Sequence, residues 1–243
     1  MVEVPVPPVG ASRAAPRQAR AIATRETILE AAAHEFAAEG YHAASLSKIL
    51  ERSGVTKGAL YFHFTSKETI ALAVFDAMSD AFPRAVEAFE HRHRDTDVLT
   101  MVVHLAIGIA DLLADDVYSR GGMRVAAEGP VGEERAGWPY RFWECVFTDM
   151  LTRAAAEGHL RPGVDPRVLA VTVVALGHGH RLGSTATTGL ADLRERSVSS
   201  WELLLDHLAD PAWLDRWRAA GGMASVPTGT TEGAPAETPG TVP

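Results

Sequence analysis

Residues 54–64 read GVTKGALYFHF, a set of types suited to meeting an anion and a flat surface. Lys57 brings a compact positive charge, Thr56 a hydroxyl, and Gly58 a backbone with no side chain to hold a partner away. Tyr61 and Phe62 add rings that a solvent-facing helix has no use for. Other spacings promise less. HEFAA at 34–38 begins like a zinc-protease helix, but Ala38 stands where the second histidine of HExxH belongs. GHGH at 177–180 and HRHRD at 91–95 crowd histidines together without carboxylate or cysteine partners at ligand spacing, so no metal or other cofactor is expected. Ser184, in RLGSTA, lacks the second glycine of GxSxG. With no convergent acid, base and nucleophile, an enzyme is not expected.

Those residues sit in a chain of 243 residues, 47% of them hydrophobic, long enough for one large domain or two smaller ones. No run of about 20 apolar residues is present, and the first residues lack the charged-then-apolar order of a signal peptide, so a cytoplasmic protein without a membrane partner is expected. The single cysteine, Cys145, excludes an internal disulfide; a small apolar core position is expected for it, with a redox sensor as the alternative. Net charge is −8, divided as +1 over residues 1–70 and −9 over residues 71–243. All three lysines, Lys48, Lys57 and Lys67, fall within the first part, which marks residues 45–67 as a place for point charges.

Apolar residues recur at spacings of three and four, and nothing alternates with strand period, so the fold class is all-α. Ile28, Ala32 and Phe36 mark a first helix from about 20 to 39, ended by Gly40. Ser45 caps a short second helix closed by Gly54; Thr56 caps a third, KGALYFH; Ser66 caps a long fourth, which Pro83 should kink. Further helices are expected near 97–114, 117–128, 138–157, 165–187, 190–208 and 211–219. The Pro-, Gly- and Thr-rich ends, 1–16 and 220–243, read as disordered tails.

Two short helices joined by a turn containing glycine form a helix-turn-helix, whose second helix enters the major groove of DNA. At 100° per residue, Val55, Ala59 and Leu60 turn toward the first two helices, while Lys57, Gly58 and Tyr61 share the opposite side. Phe64 should turn back into the bundle. A lysine at the positive end of a helix costs roughly 0.3–1 kcal/mol, and a first-turn glycine up to about 1 kcal/mol against alanine. A bound phosphate reverses the first penalty, and close approach of a partner gives the second a use.

On these residues the segment from Arg20 to Ala77, containing TRETILEAAAHEFAAEGYHAASLSKILERSGVTKGALYFHFTSKETI, resembles the N-terminal domain of TetR-family repressors. The resemblance implies a three-helix DNA-binding domain at 17–65, joined by the long fourth helix to a helical ligand-binding and dimerisation domain at 66–219. It implies Lys57, Gly58, Tyr61 and Phe62 in the groove, with Ser45, Ser47, Thr56, His63 and Lys67 on phosphates. It further implies a homodimer on a pseudopalindromic double-stranded operator, with the helices at 165–187 and 190–208 as candidates for the dimer bundle.

VTKGALYFHF together with PYRFWECVFTDMLTRAAAEGHLRPGVDPRVLAVTVVALGHGHRLG is similar to the γ-butyrolactone autoregulator receptors of antibiotic-producing actinomycetes. That likeness implies Trp143 over a small lipophilic signal and a role in secondary metabolism. Helical spacing groups Trp143 with Tyr140 and Phe147; Met78, Phe82, Leu105 and Ile109, with Val173 and Gly177, are expected to complete an apolar cavity. Some relatives carry glutamine at the place of Met78 and threonine near Gly177, so a butenolide or a furan acid is as open as a butyrolactone. A regulator of efflux or catabolism, a DNA-binding protein with no ligand, and a helical enzyme or carrier are the competing readings.

Overall fold

The computed structural model describes residues 14–228, and among them it holds helices joined by turns and no strands. The helices are α1 (Ala14–Ala43), α2 (Leu46–Ser53), α3 (Lys57–His63), α4 (Lys67–Arg92), α5 (Val98–Asp115) and α6 (Val117–Glu128). After them come α7 (Gly132–Ala136), α8 (Trp138–Ala156), α9 (Pro166–Thr188), α10 (Leu193–Leu208), α11 (Pro211–Ala219) and a 3-10 turn, Gly222–Ser225.

Local chemistry sets the boundaries. Gly40 takes φ 77°, which an L side chain adopts only with strain, and the regular helix stops there before one more turn to Ala43. Ser45 and Thr56 cap α2 and α3 by accepting the backbone N–H of Lys48 and of Ala59, each at 3.2 Å. Ser66 and Thr69 exchange hydrogen bonds in a capping box at the head of α4. Aspartates at 97, 116, 165 and 210 cap later helices in the same way. Helix α4 runs on through Pro83, which lies on its exposed side.

Three expectations need correction. The expected C-terminal tail begins too early at 220: Val226 is buried, and Arg194 donates to the carbonyls of Val226 and Pro227, so the chain stays docked to 227. The other tail residues, 1–13 and 229–243, lie outside the described ones, while 14–16 open α1. Cys145 is exposed rather than in the core. The buried face of α8 is carried by Trp143, Phe147, Met150 and Ala154, and Cys145 lies roughly 200° around the helix from Trp143. Finally, EGPVGEERAG, expected as a plain break, winds into the short α7.

Ile28, Phe36, Ile49, Leu60 and Phe64 close the core of α1–α3, and it continues without a gap along α4 into the larger bundle. Helix α5 has the length and composition to cross a membrane, with a mean hydropathy of 1.8, but half of it is buried among its neighbouring helices. Helix α6 joins the two parts. A β-carbon on Gly121 would stand 2.6 Å from the Ala33 carbonyl oxygen of α1, and one on Gly122 would stand 2.7 Å from Met78 of α4. Two successive glycines therefore let one helix lie against both others.

Candidate functional site

The first candidate is the outer face of α3. Lys57 opens the helix and is exposed, its ammonium 5.9 Å from the centroid of the Tyr61 ring one turn on. Tyr61 is 45% exposed and Phe62 80%, while Leu60 and Phe64 fill the core, so the aromatics divide as their spacing predicts. A β-carbon on Gly58 would meet nothing within 4 Å, so no packing inside the chain requires glycine there. Ser47 and Thr56 are exposed, with Ser45 and His63 half-buried beside them. As caps, the Ser45 and Thr56 hydroxyls accept one bond each and keep an O–H to donate.

The lysine cluster does not act as one. Lys48 pairs with Glu39 at 3.0 Å and reaches Glu35 at 3.9 Å. Lys67, expected on a phosphate, donates instead to the carbonyls of Tyr41 (2.8 Å), His42 (3.2 Å) and Ala44 (3.0 Å), over the Tyr41 ring. Its three N–H groups are thereby committed to the end of α1, where helical carbonyls would otherwise lack partners. Neither Lys57 nor Lys67 has a carboxylate within ion-pair reach among the described residues, but Lys67 is held by three carbonyls, whereas Lys57 has no hydrogen-bond acceptor among them.

The second candidate is a cavity of about 90 Å³ lined by α4, α5, α6, α8, α9 and α10. Phe82, Ile109, Tyr140, Trp143, Phe147, Val173 and Gly177 line it. Phe82 and Trp143 meet at 5.1 Å between ring centroids, and Phe142 packs edge-on to Trp143 at 5.0 Å, so one wall is aromatic. Met78 and Leu105 do not line it, contrary to expectation. Met78 is fully buried one turn before Phe82, against Gly122. On α5 the lining stripe runs through Ala106, Ile109, Ala110 and Leu113, and Leu105 falls roughly 40° outside it.

Sequence reasoning missed the cavity's polar end on α9, where His178, His180 and Arg181 project. His180 shares a 2.7 Å hydrogen bond with Ser200, and the His178 ring packs edge-on against Tyr140 at 5.1 Å. Burial, and then a nearby arginine (Arg181 for His178, Arg196 for His180), pushes both imidazoles below their usual range. The signal was there to read: Val173, Gly177 and Arg181 are spaced i, i+4, i+8, which puts a charge on the inward face of a helix. Ser184, also buried, donates to Asp192 at 2.5 Å and ties off the end of α9.

Residues 28–74 match the model of the tetR family of bacterial regulatory proteins. The A-factor receptor protein of Streptomyces griseus is 37% identical over 197 residues, 80% of this chain and 67% of that one. A solved γ-butyrolactone receptor described as ArpA-like superposes with a TM-score of 0.68 at 28% identity, over 83% of this chain and 95% of the other. The TetR-family protein CprB of Streptomyces coelicolor, solved with its operator, gives a TM-score of 0.67 at 29% identity, over 84% and 94%. The chain belongs to the TetR family of bacterial regulatory proteins, and along most of its length it is similar to the A-factor and γ-butyrolactone receptors.

Proposed function

We propose that the protein represses transcription as a homodimer on a pseudopalindromic operator and is released by a small diffusible signal of butyrolactone, butenolide or furan type. The observation that carries this reading is the outer face of α3. Gly58 has no packing reason to be glycine, Lys57 has no carboxylate partner, and two rings stand in solvent. Each is a cost to the free chain, and a phosphate backbone with a major groove offsets all of them. Lys57, Gly58, Tyr61 and Phe62 enter the groove; Ser45, Ser47, Thr56 and His63 hold phosphates. Such a protein works in the cytoplasm, and its likeness to the A-factor receptor directs us to genes of secondary metabolism as its targets.

A second copy is called for by α9 and α10. Val168, Val171 and Leu182 are exposed along one side of α9, and Leu203 is 65% exposed on α10. A two-fold axis there would cover an apolar stripe that neither copy covers alone.

Release follows from the cavity's size. At about 90 Å³ it is far below the roughly 300–1,000 Å³ of a ligand pocket, so a signal under Trp143 must push the walls apart. Two walls lead to the DNA-binding end: α4 through Phe82, and α6 through Met123, which directly follows the glycines packed on α1 and α4. A signal that prefers the opened form by about 1–3 kcal/mol weakens operator affinity on the order of 5- to 150-fold. A mobility shift on the gene's own promoter, repeated with candidate lactones, butenolides and furans, tests the proposal. No retarded band there or at related promoters would sink it.

A further inference from the structure

Arg181 is a buried cation with no ion-pair partner among the described residues. Only 8% of it is exposed, and its Nε is out of contact with solvent and has no hydrogen-bond partner. It lies on α9 roughly 140° around from Val168, on the side facing the cavity and away from the exposed stripe. The titratable and charged groups that interact with it are the Tyr140 phenol, which favours its charge, Arg124, which opposes it, and the His178 imidazole, whose own protonation Arg181 opposes. Three carboxylates on or beside the surrounding helices are committed to other arginines: Glu128 to Arg124 at 3.0 Å, Asp192 to Arg196, and Asp111 to Arg194. Burial pulls the guanidinium below its ordinary range, yet a guanidinium stays charged throughout the physiological range. A buried charge left unpaired is expensive, and a carboxylate is the group that a guanidinium fork binds in two parallel hydrogen bonds.

We propose that the cavity takes an amphiphilic carboxylic acid, its apolar part against Phe82 and Trp143 and its carboxylate on the guanidinium of Arg181. The neighbouring His178, whose Nδ1 is buried without a partner, stands ready as a further donor. This inference rests on the reading of the cavity as the signal site and narrows that reading: among the signal types named above it selects the acid over the neutral lactone.

The experiment compares 2-hexylfuran-3-carboxylic acid, its methyl ester, decanoic acid and a γ-butyrolactone of matched chain length. Binding to the full-length protein is read by calorimetry, and release by mobility shift on the protein's own promoter. The acid is expected to bind about 10- to 100-fold more tightly than its ester, the worth of a charge-assisted hydrogen bond or pair. Arg181→Met should erase that preference, and Arg181→Lys should restore part of it. Because the comparison of acid with ester uses the unmodified protein, it stands even if a variant fails to fold. Decanoic acid binding beside the furan acid assigns the site to alkyl carboxylates at large; the furan acid alone assigns it to the ring-bearing class, and both uphold the carboxylate. Equal binding of acid and ester, or a lactone preferred over both, overturns the acid and leaves the signal site standing. Failure of all four to bind overturns the signal site and the acid with it.

Discussion

Gly121 of α6 and Ala33 of α1 are in backbone contact so close that a β-carbon on Gly121 would stand 2.6 Å from the Ala33 carbonyl oxygen. The atoms in the way belong to a helix backbone, which cannot step aside as a flexible side chain can. Gly121→Ala should therefore destabilise the folded protein by about 1–3 kcal/mol through overpacking, seen as a lower urea midpoint at unchanged slope.

Lys57 and Lys67 should separate cleanly by experiment. Lys57→Ala is expected to leave the unfolding curve unchanged, weaken operator binding, and lower the slope of log affinity against log salt by about 1. Lys67→Met should do its damage in the absence of DNA, because three carbonyls at the end of α1 lose their donor. An early loss of helical signal on heating, at matched protein concentration, is the readout.

Gly58→Ala should push stability and binding in opposite directions. The added methyl meets nothing within the chain, and alanine is the better helix former by up to about 1 kcal/mol, so the free protein should melt higher. Operator affinity should fall, since the methyl would then stand between α3 and the groove. Unchanged affinity would remove Gly58 from the interface.

Trp143→Ala takes one ring out of the aromatic wall that Phe82, Phe142 and Phe147 complete. The cavity created should cost about 3–5 kcal/mol, so stability must be measured alongside binding. Where the variant still shifts its promoter fragment, the signal should no longer release it. Release at unchanged signal concentration would show that the signal binds elsewhere.

His104 on α5 has both ring nitrogens buried without partners, and its pKa is pushed down to about 4 by burial and by His93, against the opposing pull of Asp97. In the unfolded chain it titrates near the ordinary value of about 6.5. As pH falls from about 6.5 toward 4, the unfolded chain takes up a proton that the folded one refuses, so stability is lost through that window. Urea midpoints at about pH 7, 6 and 5 should fall in order, and His104→Leu should flatten that decline.

The fold was legible because its punctuation is local. Ser45, Thr56 and Ser66 cap helices from positions that sequence alone identifies, and Gly54 closes α2 at φ 66°. The outer face of α3 was legible too, since a seven-residue helix with Leu60 inward leaves little choice for Tyr61. What could not be read were partnerships across long stretches of chain. Nothing near Lys67 in sequence announces that its ammonium closes a helix ending 24 residues earlier. Met78 and Phe82 share a helix stripe, yet only the packing of α6 against α4 decides which of them meets the cavity. Arg181 sits inside GHGHR, where the crowded histidines suggest metal and only the spacing from Val173 and Gly177 marks the charge as inward-facing.

The knot at Lys67 bears on how far a small movement travels. With its ammonium fastened to the end of α1, a tilt of α4 has no slack to lose in the turn before it, and α1–α3 must swing along as one body. Phe82 stands 15 residues from Lys67, roughly 22 Å along the helix axis, so each degree of tilt about Phe82 carries the first residue of α4 by roughly 0.4 Å. Ten degrees amounts to about 4 Å on each copy of a two-fold pair. Half-sites one turn of DNA apart, about 34 Å, leave no room for an error of that size. If release works as proposed, a tilt of about ten degrees in α4 would be enough to take both reading heads off their grooves.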